Sequence, residues 1–204
     1  MIPKELNEKL TKVGRETSAG ALLRQYWQPA ALLDELEEKL ILPVNLLGER
    51  LALSKDDSGN YFLATRTSCP DERPSFHPNN VKLDPEGSTY PAIEKNGVIF
   101  AFLGDGIPPL FPNFDCFRAP KSHSFAFKGF WECNWLQALE VGIDPAHASF
   151  LHRFLKDEDP KDSYGKQFRD STLGTQKPMT KILREYPRPE ISVEETNYGL
   201  KIIL

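Results

Sequence analysis

The chain has 204 residues, enough for one ordinary domain or for two small or incomplete ones. Its net charge of −4, with acidic and basic residues interspersed, argues against a nucleic-acid or anionic-membrane partner, since both favour a basic surface. The three cysteines are odd in number and widely spaced, which excludes a disulfide framework. We expect a cytoplasmic protein, because no apolar run approaches the roughly 18 residues of a membrane span and the first residues lack a signal-peptide core.

The first half of the chain predicts two helices and then strands. Residues 4–27 show helical apolar spacing interrupted by glycines, which predicts two short helices, the second ended by Pro29. Strands are expected from about residue 41, with a hairpin turn at 56–59. Residues 68–88 hold four prolines and predict a long loop. Residues 89–104 predict a hairpin that turns at Asn96-Gly97.

The second half predicts a domain boundary followed by mixed structure. A proline-rich connector at 106–120 suits that boundary, and the alternation in 123–133 predicts a strand. Residues 134–155 predict a helix, and 156–178 a polar loop. Two strands around a turn at 197–199 are expected within 181–204. The last of these strands needs a partner, so we expect either a sheet edge or a fragment.

One segment, 140–152, has the residue types of a metal site. On a helix, Glu140, Asp144 and His147 share one face, whereas His152 lies five residues beyond His147 and points elsewhere. A kink at Pro145 or a single i→i+5 turn would align the two histidines. Two histidines with a carboxylate and open positions are typical of iron oxygenases. The spacing places Asp144 as the acceptor that fixes the His147 tautomer, but histidine pairs without any metal are common on helices.

The same segment resembles a known family. The pattern Glu140-x3-Asp144-x2-His147-x4-His152 resembles the mononuclear iron motif of Rieske-type ring-hydroxylating oxygenases, α subunit. Residues 133–140 and 147–153 resemble the phthalate 4,5-dioxygenase branch in particular. Residues 10–14, 23–29 and 96–104 resemble the N-terminal segment and Rieske-domain strands of that branch.

The resemblance implies an iron site and a reaction. It implies His147 and His152 as ligands of a mononuclear Fe(II), and Asp144 as the bridge to a cluster histidine of the neighbouring subunit. It places Asn134, Trp135 and Gln137 near the iron pocket. It implies hydroxylation or O-demethylation of a small aromatic substrate with O2, a reductase or ferredoxin as electron donor, and a homotrimer.

The sequence departs from the family at the [2Fe–2S] cluster. The family binds the cluster with a Cys-x-His and a Cys-x2-His pair, but here Cys69 is followed by Pro70 and Asp71, and no Cys-x2-His occurs. The spare histidines, His77 and His123, do not have the spacing. Carboxylates cannot replace the thiolates of such a cluster. We therefore expect no Rieske cluster in this chain, and an internal loss between about residues 67 and 89 explains its absence.

The third iron ligand is a second departure. The family carboxylate comes from downstream of the residues present here. Glu140 is one possible substitute. Three aspartates that follow His152 lie in a polar loop and are better explained as solvated: Asp157, Asp159 and Asp162.

These observations predict an α+β chain. Residues 1–118 would form N-terminal helices and an incomplete, Rieske-like antiparallel β region. Residues 119–204 would form the N-terminal part of a helix-plus-antiparallel-sheet catalytic domain. The predicted function is that of an oxygenase α-subunit fragment or variant. The alternatives are a non-catalytic metal- or ligand-binding relative that cannot transfer electrons, and a faulty gene model.

Overall fold

The computed structural model describes residues 2–66, 84, 86–151, 179–197 and 199–203. The chain divides into two compact units, Met1–Phe130 and Trp131–Leu204. The loops predicted at 68–88 and 156–178 fall almost entirely outside the described residues. No helix in the described ranges is long and apolar enough to cross a membrane.

The first unit opens with the two predicted short helices, α1 (Lys4–Thr11) and α2 (Ser18–Leu23). The Thr17 hydroxyl caps α2 by accepting a hydrogen bond from the Gly20 N–H at 3.1 Å. The prediction that Pro29 ends α2 is wrong, because α2 ends at Leu23 and Pro29 lies inside strand β1 (Trp27–Leu32). The register of β1 shifts between Pro29 and Ala31, the kind of irregularity at which a strand tolerates proline.

Six strands form one antiparallel sheet. After β1 and the short helix α3 (Leu33–Glu37) come β2 (Ile41–Leu46), β3 (Glu49–Lys55), β4 (Tyr61–Thr65), β5 (Thr89–Lys95) and β6 (Val98–Phe102). Their order in the sheet is β1-β6-β5-β4-β3-β2, and every neighbouring pair is antiparallel. The predicted α+β class is therefore confirmed, although neither β1 nor α3 was predicted.

Both predicted hairpin turns are present. Asn96 (φ 48°) and Gly97 (φ 84°) join β5 to β6 with positive φ at both turn positions, the conformation for which Asn-Gly is the preferred sequence. In the β3–β4 turn the Asp56 carboxylate accepts a hydrogen bond from the Asn60 N–H at 2.7 Å. Local turn chemistry thus fixes both registers.

The core of the first unit is aliphatic. Leu51, Leu53, Leu63, Ile99 and Leu103 have no exposed surface. Leu53 lies directly opposite Leu63 in the β3–β4 ladder. Burial of a side chain of this size contributes about 1.5–3 kcal/mol, so the sheet has a hydrophobic core of its own.

The proline-rich connector packs on the sheet. The Trp27 Nε1–H donates to the Pro109 carbonyl oxygen at 2.9 Å. Phe111 and Phe117, the latter in the short helix α4 (Asp115–Arg118), contact the Phe100 ring edge-to-face at 5.0 and 5.6 Å between centroids. The connector is therefore anchored to β1 and β6. The predicted domain boundary at 118/119 stays a prediction.

The strand predicted at 123–133 is not formed. A short 3-10 helix (Lys121–His123) precedes it, and the described residues 124–134 contain no strand. Alternation makes a segment compatible with a sheet, but a strand also needs a neighbouring strand to pair with. Among the described strands, none pairs with this segment.

The second unit contains helices and one hairpin. Its helices are α5 (Trp135–Ile143), α6 (Ala146–Leu151) and α7 (Met179–Glu185). The hairpin β7 (Ser192–Thr196) and β8 (Gly199–Ile203) agrees with the predicted strand pair. The first predicted strand was placed too early, because its opening residues belong to α7. That helix ends just before Tyr186-Pro187, where the proline disfavours helical backbone in the preceding residue.

Candidate metal centre

A break between two helices shapes the candidate site. The predicted single helix over 134–155 is divided at Asp144-Pro145, with α5 ending at Ile143 and α6 beginning at Ala146. Asp144 has an extended conformation (φ −83°, ψ 105°), which the following proline favours. No i→i+5 turn occurs between residues 135 and 151. The predicted kink is therefore a complete interruption of the helix.

This break places a backbone acceptor beside His147. The His147 Nδ1 lies in hydrogen-bond contact with the Asp144 carbonyl oxygen. A carbonyl oxygen can only accept, so Nδ1 carries the proton and the lone pair of the imidazole is on Nε2. Metal-binding histidines are usually oriented in this way, by donating one ring N–H to a carbonyl or carboxylate. His147 therefore has the tautomer that an Nε2 metal ligand needs.

The Asp144 carboxylate has a different contact. Its Oδ1 accepts a hydrogen bond from the Ala146 N–H at 2.8 Å, at the beginning of α6. Asp144 therefore contacts His147 through its main-chain carbonyl oxygen, and its side chain accepts a hydrogen bond from the first residue of α6. Both contacts hold the backbone from Asp144 to His147 in one conformation.

Asn134 and Gln137 form a capping box at the beginning of α5. The Asn134 Oδ1 accepts from the Gln137 N–H at 3.0 Å, and the Gln137 Oε1 accepts from the Asn134 N–H at 3.2 Å. Each side chain therefore satisfies a backbone donor that the helix itself leaves unpaired. The family resemblance implied that both residues lie near an iron pocket. Their capping role was not predicted, although the N-x-x-Q spacing is a local signal for it.

Two further features of the second unit were missed. The buried Ser149 hydroxyl, two residues after His147, donates to the Tyr186 carbonyl oxygen at 3.4 Å and so connects α6 to the end of α7. The Trp135 indole N–H is buried and has no acceptor among the described residues. Buried donors are nearly always hydrogen-bonded, so this one calls for an acceptor. No sequence signal marks either feature.

The described residues hold only part of the predicted ligand set. His152 lies outside them, as do Asp157, Asp159 and Asp162. Within the described part of the chain, no three His, Cys, Asp or Glu side chains converge on a point that could hold a metal. The His147 tautomer fits an iron ligand.

Cluster ligands are not assembled in the described residues. Cys116 and Cys133 are free thiols at exposed positions. Neither is followed by histidine at the cluster spacing, and Cys69 and His77 lie outside the described ranges. These residues do not fit a two-cysteine, two-histidine cluster.

Two known proteins with similar sequences are oxygenase subunits. No protein-family model matches the chain. The 5,5'-dehydrodivanillate O-demethylase oxygenase subunit of Sphingobium sp. (strain NBRC 103272 / SYK-6) is 32% identical over 187 residues, covering 74% of this chain and 44% of that protein. The phthalate 4,5-dioxygenase oxygenase subunit of Pseudomonas putida is 28% identical over 245 residues, covering 98% of this chain and 52% of that protein.

Among solved structures, the terminal oxygenase of carbazole 1,9a-dioxygenase from Novosphingobium sp. KA1 is similar, with a TM-score of 0.40 and 19% identity over 71% of this chain and 45% of that one. The chain spans about half the length of the curated relatives it matches.

Proposed function

We propose, from the demonstrated kinship of this chain with the α subunits of Rieske-type oxygenases, that it forms part of an oxygenase with a mononuclear Fe(II) site. This kinship was predicted from the sequence, including the phthalate 4,5-dioxygenase branch, and the relatives confirm it. The chain covers only part of each relative, so its activity, substrate and partners are proposals.

The proposal rests on how much of this chain aligns with one oxygenase subunit. The phthalate 4,5-dioxygenase subunit aligns with 98% of this chain, so both the β-sheet unit and the helical segment around His147 have counterparts in one oxygenase subunit. That alignment extends over 245 residues, more than the 204 residues of this chain. The relative therefore holds residues with no counterpart here, which supports an internal loss.

His147 and His152 are the proposed iron ligands. The contact of His147 Nδ1 with the Asp144 carbonyl oxygen supports the first, because it directs the lone pair to Nε2. When bound, the iron supplies the redox chemistry that O2 activation requires. Oδ2 of Asp144 is the proposed acceptor for a cluster histidine of a neighbouring subunit, since Oδ1 already accepts from the Ala146 N–H.

The [2Fe–2S] cluster is proposed to be absent from this chain. The electrons for the iron would then come from a cluster on another polypeptide, itself reduced by a reductase or ferredoxin. The names of two relatives, each an oxygenase subunit, agree with a multi-component system. The resemblance implies a homotrimer, but copies of a chain without the cluster could not supply these electrons to one another, so the cluster-bearing neighbour is proposed to be a different polypeptide.

The proposed substrate is a small aromatic acid or aryl ether. Two relatives are named for dehydrodivanillate demethylation and phthalate dioxygenation, and hydroxylation or O-demethylation is carried over from them. Asn134 and Gln137 would support the pocket by fixing the beginning of α5, through the capping box they form.

The test is anaerobic titration of the purified chain with Fe(II), followed by calorimetry and metal analysis. We expect about one iron per chain, and at least a tenfold weaker affinity after His147→Ala. His123→Ala is the matched control, because it removes an exposed histidine outside the proposed site. Unchanged iron binding in His147→Ala would remove the site assignment.

A second measurement separates the catalytic from the non-catalytic reading. We expect O2 consumption by the iron-loaded chain when a reductase, a cluster-containing partner and an aromatic acid are present. No consumption by an iron-loaded sample would favour a non-catalytic metal-binding relative. Visible absorption of a Rieske cluster in the purified chain would contradict the proposed loss of its ligands.

A further inference from the structure

Ser149 is the one buried residue of helix α6 (Ala146–Leu151). It is 2% exposed, whereas the apolar residues that follow it, Phe150 and Leu151, are 55% and 78% exposed. Serine is ordinarily a surface residue, and a buried hydroxyl needs a hydrogen-bond partner. Hydrophobic burial therefore does not explain which side of α6 packs against the rest of the second unit. The contact made by the serine explains it.

The partner of Ser149 is a backbone carbonyl group at the end of α7. The Ser149 hydroxyl donates to the Tyr186 carbonyl oxygen at 3.4 Å. The Tyr186 N–H donates to the Ile182 carbonyl oxygen at 2.9 Å, which closes the last turn of α7. Pro187 follows and disfavours helical backbone at Tyr186, so the helix does not continue. The Tyr186 carbonyl oxygen is therefore one of the acceptors that a helix end leaves for a side chain.

The beginning of α6 has the same kind of contact. The Asp144 carbonyl oxygen also precedes a proline, Pro145, and the His147 Nδ1 lies in hydrogen-bond contact with it. Two residues of α6, His147 and Ser149, are thus each held by a carbonyl oxygen from outside the helix. Because the chain is not helical at Asp144-Pro145, α5 does not fix how α6 is rotated about its own axis. The two carbonyl contacts are placed to fix it.

The rotation of α6 determines where the His147 ring lies. Successive residues of a helix are about 100° apart, so positions 147 and 149 lie about 200° apart and on nearly opposite sides of the axis. With Ser149 directed at the end of α7, His147 lies on the side of α6 away from that helix end. A rotation of α6 would move the imidazole away from the Asp144 carbonyl oxygen and change the direction of the Nε2 lone pair.

We propose that Ser149 is a positioning residue of the iron site, which holds His147 Nε2 in the direction that the metal requires by anchoring α6 to the Tyr186 carbonyl oxygen. This inference rests on the proposed Fe(II) site at His147. Ser149 acts through α6, because its hydroxyl is buried and already donates to Tyr186. Residues that support a metal ligand usually contribute about ten- to a hundredfold in metal affinity.

The test compares the full chain with two variants that remove the same contact. Ser149→Ala removes the hydroxyl with little change in volume. Pro187→Ala allows α7 to continue through Tyr186, which takes the carbonyl oxygen away from Ser149. Anaerobic calorimetry with Fe(II) should show about tenfold weaker binding for each variant. The double variant should bind no more weakly than either single variant, because the contact is lost only once.

Two controls match these substitutions within the same unit. Ser192→Ala alters an exposed serine of β7, and Pro189→Ala alters a proline that does not follow Tyr186. Both should leave the Fe(II) affinity unchanged.

The visible absorption spectrum of the Co(II)-loaded chain separates a positioning role from a stabilising one. The d–d bands of Co(II) depend on its coordination geometry, so a displaced His147 should change their positions and relative intensities. Loss of folded protein would only scale the spectrum. A Ser149→Ala variant that is less stable in urea but keeps the Fe(II) affinity and the Co(II) spectrum would overturn the proposal, as would additive losses in the double variant.

Failure of the iron site itself has a different outcome. Fe(II) binding that survives His147→Ala, or no Fe(II) binding by the unaltered chain, would overturn the proposed site and this inference with it. Binding that depends on His147 but not on Ser149 would overturn this inference alone.

Discussion

Arg24 and Glu49 form an ion pair in which the guanidinium is almost entirely buried. Arg24 is 4% exposed, and its Nη2 donates to the Glu49 Oε1 at 2.7 Å. The Tyr90 hydroxyl donates to the other carboxylate oxygen of Glu49, also at 2.7 Å. The Arg24 Nη1 donates to the Val13 carbonyl oxygen at 2.8 Å. One carboxylate therefore connects α2 to β3 and β5, and attaches the N-terminal helices to the sheet.

Removal of this carboxylate is predicted to destabilise the first unit. Glu49→Ala leaves the Arg24 charge buried without its counter-ion, and we expect the free energy of unfolding to fall by about 3 kcal/mol. Glu8→Ala breaks the exposed pair with Lys12 and should cost at most about 1 kcal/mol. Urea unfolding of both variants provides the comparison. Equal losses would show that the buried pair contributes no more than a surface pair.

Tyr90 is predicted to make the free energy of unfolding of the first unit fall at alkaline pH. Burial and the hydrogen bond to Glu49 raise the pKa of Tyr90 above its ordinary value. In the unfolded chain tyrosine ionises at about pH 10. The stabilisation that neutral Tyr90 gives the folded unit is therefore fully present below that pH. It is lost as the pH rises through the higher folded-state pKa. Urea unfolding from pH 8 to 11 should show this decline, and Tyr90→Phe should make it shallower. The same slope in both proteins would contradict a contribution from Tyr90.

The capping box predicts that alanine and serine at position 134 reduce the stability of α5 by different amounts. Asn134→Ala removes the acceptor for the Gln137 N–H and should destabilise α5 by about 1 kcal/mol. Asn134→Ser retains a capping oxygen and should restore most of that loss. If the residue acts only by positioning α5, helicity and Fe(II) affinity should recover together in the serine variant. Recovered helicity with weak iron binding would instead indicate direct participation of Asn134 in the iron site.

Pro145 is predicted to maintain the His147 tautomer. Pro145→Ala allows α5 to continue through Asp144, which would move the Asp144 carbonyl oxygen away from the His147 ring. We expect a gain in helical ellipticity and about a tenfold loss in Fe(II) affinity, the size of effect found when a ligand's supporting hydrogen bond is lost. Pro108→Ala, in the connector, is the control. Unchanged affinity together with increased helicity would show that the carbonyl contact is dispensable.

The predictions that succeeded depend on local chemistry. Asn96-Gly97 specifies its turn wherever it occurs, so the β5–β6 hairpin could be predicted from a few residues. Strand β1 could not, because it contains Pro29 and pairs with a strand about seventy residues away in sequence. Residues 124–130 show the opposite case: they alternate like a strand, yet no described strand pairs with them. Pairing partners are a tertiary property that alternation does not encode.

The candidate site shows the same limit. Spacing identified His147 and an acceptor at Asp144, but not that the acceptor is the main-chain carbonyl. That detail follows from the extended backbone before Pro145, which turns the carbonyl toward the imidazole. Spacing also did not reveal that the Asn134 and Gln137 side chains bond each other's backbone.

The β4–β5 pairing determines how the gain or loss of residues between these two strands affects the sheet. Leu63 lies opposite Tyr90, and the Thr65 N–H donates to the Ser88 carbonyl oxygen at 2.9 Å, so the ladder is closed where the chain leaves β4 and returns to β5. The free energy of closing a loop varies only slowly with its length. Residues between Arg66 and Asp84 can therefore be gained or lost without breaking any rung that the described residues form in the sheet. Under the proposed loss of the cluster ligands from this segment, the sheet that carries them in the family is kept while the electron carrier is not.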